Sequence, residues 1–169
     1  MVLEQLNRVL RRVKETVYDN SILVISDLVI ESEGKAYKAC NFKLNGLHII
    51  CRNAKITPKK IGQFVTFWKR NQSGITEPFS ETDEFDFYVI NVLKEDRIGQ
   101  FIFPKSVLIK KGIVSTTLKD GKRGFRVYPS WDMPSSKQAE KTQKWQTKYF
   151  IEIDEKTDFK EFEKLYSNN

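Results

Sequence analysis

Histidine is almost missing from this chain: His48 is the only one. That removes His-clustered metal sites and makes any Ser–His or Cys–His nucleophile depend on one residue. Cysteine is nearly as scarce. Cys40 and Cys51 lie eleven positions apart without ligand partners, which does not make a zinc site. There is no Gly-x-Gly-x-x-Gly run and no Gly-rich phosphate loop ending in Lys-Ser or Lys-Thr. Hydride transfer and nucleotide hydrolysis therefore have no signature. No apolar run is long enough to cross a bilayer, and the first residues lack the order of a signal peptide. The expectation is a cytoplasmic protein with no membrane partner, forming one domain over residues 1–169.

Acid is also missing where base is plentiful. From Gly34 to Thr76 there are nine Lys or Arg and no Asp or Glu. Glu77 to Asp96 reverses this, with seven acids against Lys94, and Arg97 to Trp131 reverses it again, with eight basic residues against Asp120. If the fold joins the two basic blocks, the net charge of +7 becomes a face suited to phosphate polymers.

The stretch Arg52 to Arg70 carries six of these cations. Thr57-Pro58 reads as a helix start, with Ile61, Phe64, Val65 and Trp68 on one side of a helix over 57–70. Lys55, Lys59 and Lys60 then surround a helix N-terminus, a favourable place for an anion. On this reading Trp68 belongs to the core.

Elsewhere the signals are local. Leu3, Leu6, Leu10, Val13 and Val17 keep helical spacing over 1–19, while 22–30 reads equally as a strand or as a packing segment. Asn45-Gly46 predicts a hairpin over 36–56 that pairs Leu44 with Leu47, Phe42 with Ile49 and Cys40 with Cys51. The two thiols are expected to stay reduced. Residues 85–93 and 99–103 read as strands, and 105–111 as a short helix stopped by Gly112. Asp120-Gly121 predicts a second hairpin, Val114 against Val127, with Lys122, Arg126 and Tyr128 on one side. Helices follow over 135–150, with a stripe of Lys137, Lys141, Lys144 and Lys148, and over 157–166.

Metal-dependent phosphodiester cleavage needs two or three carboxylates around a divalent ion. An endonuclease of the usual pattern places Asp on one strand and Glu-x-Lys on the next. Here Glu81, Asp83, Glu84 and Asp86 cluster before one strand, but the next offers no acid before Lys105. Glu33-Gly-Lys35, with Asp27 upstream, matches only in a turn. Binding needs less: cations for phosphates and aromatic platforms for bases. Trp131, in a Pro-bracketed loop, and Trp145, beside the lysine stripe, are the candidate platforms.

Four segments in order resemble the MepB family. They are Arg52-x-Ala-Lys-Ile-Thr-Pro-Lys-Lys with Gly62-Gln-Phe-Val-Thr-x-Trp-Lys-Arg70, then Gly99-Gln-Phe-Ile-Phe-Pro-Lys105. Gly121-Lys-Arg-x-x-Arg-Val-Tyr-Pro-x-Trp131 and Thr142-Gln-x-Trp-Gln-x-x-Tyr-Phe150 complete the set. The resemblance covers roughly 30–151. It implies a bacterial cytoplasmic protein, in staphylococci encoded beside a multidrug efflux pump and its repressor. It also implies an α/β (α+β) fold: a mixed central sheet flanked by helices, with a core similar to the PD-(D/E)xK endonucleases. The family supplies no settled catalytic residues.

The combined expectation is a nucleic-acid-binding protein with an incomplete nuclease site, preferring single-stranded DNA or RNA. Its contacts would be Arg52, Lys55, Lys59, Lys60, Arg70, Lys105, Lys122, Arg123, Arg126 and Lys144, with Trp131 and Trp145. No catalytic residue, metal or cofactor is expected. Two alternatives stay open: a divergent metal nuclease using Asp83 or Asp86 with Mg²⁺, and a protein-interaction module.

Overall fold

The computed structural model describes residues 5–167. Helix α1 spans Arg8–Thr16, capped by the Asn7 side chain, which accepts from Leu10 N. It buries Leu10 and Val13 between Leu6 and Val17, as the spacing predicts; Leu3 lies outside the described residues. Strands β1 (Ile25–Ile30), β2 (Cys40–Leu44) and β3 (Leu47–Asn53) form an antiparallel meander. Asn45 and Gly46 take φ values of 49° and 82°, which fixes the expected register. Short strands β4 (Lys55–Ile56), β5 (Gln63–Thr66), β6 (Trp68–Arg70) and β7 (Thr76–Pro78) follow. The central pair is β8 (Phe87–Lys94) and β9 (Arg97–Pro104). After them come α2 (Lys105–Lys110), β10 (Gly124–Val127), α3 (Lys137–Gln146), β11 (Phe150–Ile153) and α4 (Phe159–Leu165).

Six strands make one mixed sheet in the order β1-β2-β3-β8-β9-β11, with β3 and β8 parallel and the other pairs antiparallel. The fold is α+β, a mixed sheet flanked by helices. Strands β8 and β9 are apolar at consecutive positions because both of their faces are covered. Phe87, Val89 and Ile102 pack on the side of α1 and α4, with Leu10, Val13 and Phe162. Tyr88, Ile90 and Phe103 pack on the other side, with Val65, Phe125 and Leu108. The second face is covered only in part, and over β1–β3 it opens into a cleft.

The helix expected over 57–70 does not form. Lys59 (φ 67°) and Gly62 (φ 83°) sit in left-handed backbone that interrupts it, and 63–66 and 68–70 are strands. In Gln63-Phe-Val-Thr-Phe-Trp68, burial alternates: Gln63, Val65 and Phe67 point inward. The period is two, and the β-branched and aromatic composition suits it. The helical reading missed Phe67, which is fully buried between Tyr88, 4.1 Å away, and Phe79, 4.5 Å away. Trp68 correspondingly leaves the core and stands half-buried under Arg70, 5.4 Å from its guanidinium.

The hairpin expected at Asp120-Gly121 is also absent. β10 pairs with β5 instead, Phe125 opposite Val65, in a three-stranded sheet ordered β10-β5-β4. The chain turns earlier, where Thr116 N donates to Lys119 O at 2.8 Å. The helix expected over 135–150 ends at Gln146, and Phe150 starts the sheet's edge strand. Of segment 22–30, Ile25–Ile30 proves to be the opposite edge strand.

Cys40 and Cys51 face each other across β2 and β3 as free, buried thiols. The Cys40 contact and then burial push the Cys51 thiol well above its ordinary pKa, which removes the reactive thiolate. Neither cysteine should react with Ellman's reagent at neutral pH in the folded protein, and both should react in denaturant. Rapid labelling of the native protein would contradict this packing.

Candidate functional site

The sequence-derived site residues do not converge on one surface; they divide among a two-part groove, a two-part cleft, one further hollow and isolated positions. The first hollow, of about 410 Å³, lies between β10 and α3 and includes Lys111, Lys122, Arg126, Tyr128 and Trp145 in its lining. A second, of about 260 Å³, adjoins it through Lys111 and Trp145 and adds Lys110, Lys148 and Tyr149. Together they form a groove with five cations in its walls and no carboxylate. Trp145 stands between the two halves, packed on Phe103 at 5.4 Å, with the Lys111 ammonium 5.1 Å from its ring centre.

Local structure explains why these groups share a wall. Gln146, fully buried, donates to Arg126 O at 2.9 Å and accepts from Tyr128 N at 2.9 Å, pinning α3 to the end of β10. Alternation along β10 buries Phe125 and Val127 and turns Arg126 and Tyr128 toward the groove. Arg126 is partly committed: it donates to Thr57 Oγ1, Ile61 O and Gly62 O, tying down the loop that replaces the expected helix. Lys122 and Lys148 are exposed and make no ion pair among the described residues.

The cleft over β1–β3 has a different character. One hollow of about 390 Å³ includes Asn41, Lys43, His48 and Arg52 from the strands, with Asp83 and Phe85 facing them. A neighbouring hollow of about 200 Å³ is lined by Glu33, Gly34, Trp68, Lys69 and Arg70. Arg52, expected at the surface, is only 6% exposed and belongs to both hollows. Gly34 makes room for it: at φ 70° its position suits glycine, and a Cβ there would stand 2.6 Å from Arg52 Nη1.

Most charges in this cleft neutralise one another. Lys43 pairs with Asp27 at 3.3 Å, Lys69 with Asp83 at 2.6 Å, and Arg70 with Glu33 at 2.7 Å. The Asp83 hydrogen bond raises the Lys69 pKa against the opposing pull of desolvation. Asp83 also accepts from Ser80 N, and Asp86 accepts from His48 N at 2.8 Å. These carboxylates hold the loop and the strand entry. Among the described residues, no group of three or more His, Cys, Asp or Glu side chains is placed to hold a metal ion.

The remaining sequence-derived residues stand apart. Lys105 reaches the Asp83 carbonyl and lies 5.0 Å over the Phe85 ring, and Arg123 donates to Thr76 O at 3.0 Å. Lys55 lies over Tyr37 at 4.9 Å, whereas Lys59 is exposed. Lys60 and Trp131 share a further hollow, and Arg97 covers the Trp131 ring at 4.8 Å. Lys144 is exposed on the lysine stripe, one residue before Trp145. Sequence reasoning thus found Lys122, Arg126 and Trp145 of the groove but left Lys110, Lys111 and Lys148 out of the expected contacts. Position was the signal for the first two: they end α2, and Lys111 there lies over Trp145 of α3.

Comparison with known proteins supplies the family. No curated protein matches the chain. Among solved structures, the crystal structure of MepB is 35% identical, covers 89% of this chain and 100% of its own, and superposes with a TM-score of 0.78. A bacterial homing endonuclease is 15% identical over 85% of this chain and 84% of its own, with a TM-score of 0.41. The MepB-like family model matches residues 31–152. The chain belongs to the MepB-like family.

Proposed function

We propose that this protein binds nucleic acid in the cytoplasm, through the groove between α2, β10 and α3, and does so without cutting it. The observation that carries this reading is the makeup of that groove: five cations, the half-buried Trp145, and no carboxylate in either half. Cations on a concave wall attract a phosphate backbone, and the Trp145 ring offers a stacking surface to an unpaired base once the Lys111 ammonium over it turns to a phosphate. A groove of two small hollows favours a single strand, DNA or RNA, over base reading in a duplex. Binding of this kind asks for no cofactor. Asp83 and Asp86, the carboxylates of the nuclease alternative, serve as structural acceptors.

Filter binding of an oligothymidylate across a salt series tests the proposal. Affinity should fall linearly on a log–log plot, by roughly 0.7 decades per decade of salt for each phosphate contact. Absence of binding at low salt would end this reading.

A further inference from the structure

The two hollows of the β1–β3 cleft share three lining residues: Glu31, Arg52 and Phe79. We propose that this shared neck is a nucleobase pocket, selective for guanine; the inference deepens the nucleic-acid reading and rests on it.

Three features motivate the assignment. Arg52 is 94% withdrawn from solvent, yet it forms no ion pair among the described residues. Its one hydrogen bond there is long, Nη2 to Trp68 O at 3.4 Å, and its Nε has no partner. A buried guanidinium with donors to spare is costly unless a ligand supplies acceptors. Glu31 sits in the same neck and accepts from Asn41 Nδ2, while Asn41 Oδ1 is buried without a partner. Acceptors are therefore also in surplus. Phe79 supplies an aromatic wall, held by its stack on Phe67 at 4.5 Å.

A ligand that satisfies all three is flat and carries acceptors on one edge and donors on an adjoining one. Guanine has this arrangement: O6 and N7 accept from an arginine, and N1–H and the N2 amino group donate to a carboxylate or amide oxygen. Adenine reverses the polarity at its six-position, placing an amino group where Arg52 offers only donors. A simple anion does not account for Glu31, and a cation does not account for Arg52. The hollows, about 390 and 200 Å³, are large enough for a base with its sugar. An unpaired guanine of a strand held elsewhere on the protein would enter as extruded bases do.

Guanosine and adenosine, titrated against the full chain by calorimetry, test the pocket. Guanosine should bind and adenosine should bind about tenfold or more weakly. Arg52→Gln should lose guanosine by a similar factor while still binding oligothymidylate, and Arg52→Lys should recover little because the paired donors are gone. Thermal melting confirms folding; should Arg52→Gln fail to fold, Glu31→Gln serves, with the same loss expected. Equal binding of the two nucleosides, or no guanosine binding by the unaltered protein, overturns the pocket. If oligothymidylate still binds in that case, the groove reading stands; if only the oligonucleotide fails, the groove reading falls and takes the pocket's place on a bound strand with it, while the guanosine site itself stands.

Discussion

Reversing three groove charges together, Lys111→Glu, Lys122→Glu and Lys148→Glu, is expected to remove nearly all affinity for single-stranded oligonucleotides. Three lost phosphate contacts correspond to about 2 decades of affinity between ~1 M and ~0.1 M salt, and repulsion adds to this. The log–log salt slope should flatten by roughly 2. The substitutions should leave folding intact, because all three side chains are exposed and Lys111 gives up only its contact with Trp145. Arg126 is excluded from the set because its loss would free the 57–62 loop it holds. Lys35→Glu, Lys156→Glu and Lys160→Glu, equally exposed but outside the groove, make the control. They change net charge by the same amount and should cost far less affinity. A control as damaging as the groove variant would mean that overall charge, rather than this surface, attracts the strand.

Truncating Phe67 to Ala is expected to have the largest effect on stability. The ring is fully buried, nearly parallel to Tyr88 (10°) at 4.1 Å, and stacked on Phe79 (28°) at 4.5 Å. Removing it leaves a cavity where the small sheet meets the large one. A loss of about 3–5 kcal/mol follows from burial and cavity costs together. Tyr88 adds to the rigidity of this site, since its hydroxyl donates to Thr66 O at 2.7 Å and burial raises its pKa. Urea melts should show a lower midpoint at an unchanged slope, and Phe67→Leu should recover much of the difference. A variant as stable as the parent would place the junction of the two sheets elsewhere.

Phe67 marks where the sequence was not legible, and Asn45-Gly46 marks where it was. Asn45-Gly46 fixed a hairpin because its turn requires two positive φ values that few dipeptides supply, and the pairs Leu44–Leu47, Phe42–Ile49 and Cys40–Cys51 follow. Strands β8 and β9 were legible as apolar runs joined by a short turn, and α1, α2 and α4 through spacing and stops. Thr57-Pro58 misled because its capping signal is local, whereas the fate of 63–66 is decided by pairing with β10, some 60 positions later, and that of 68–70 by pairing with β7. Ile61, Phe64, Val65 and Trp68 fit a helical face, and Val65 with Phe67 fit a strand; tertiary contact selected the second. The Asp120-Gly121 hairpin failed for the complementary reason, since β10 had a better partner in β5.

Site residues were legible to a smaller degree. Charge blocks identified which segments were basic, and Trp145 beside a lysine stripe pointed to α3. Composition could not show that Arg70 and Lys69 are neutralised by Glu33 and Asp83, or that Arg52 lies inside a cleft. Each of those outcomes depends on which acidic loop folds over which strand. Lys110 and Lys111 gained significance only when α2 was seen beside α3.

Amide chemical-shift mapping with an oligothymidylate at low salt tests the central claim most directly. The groove account predicts shifts at Lys111, Lys122, Arg126 and Lys148 and at the Trp145 indole N–H, with α1 and α4 on the opposite sheet face unmoved. Shifts concentrated on α1 and α4, or absent at saturating oligonucleotide, would contradict it.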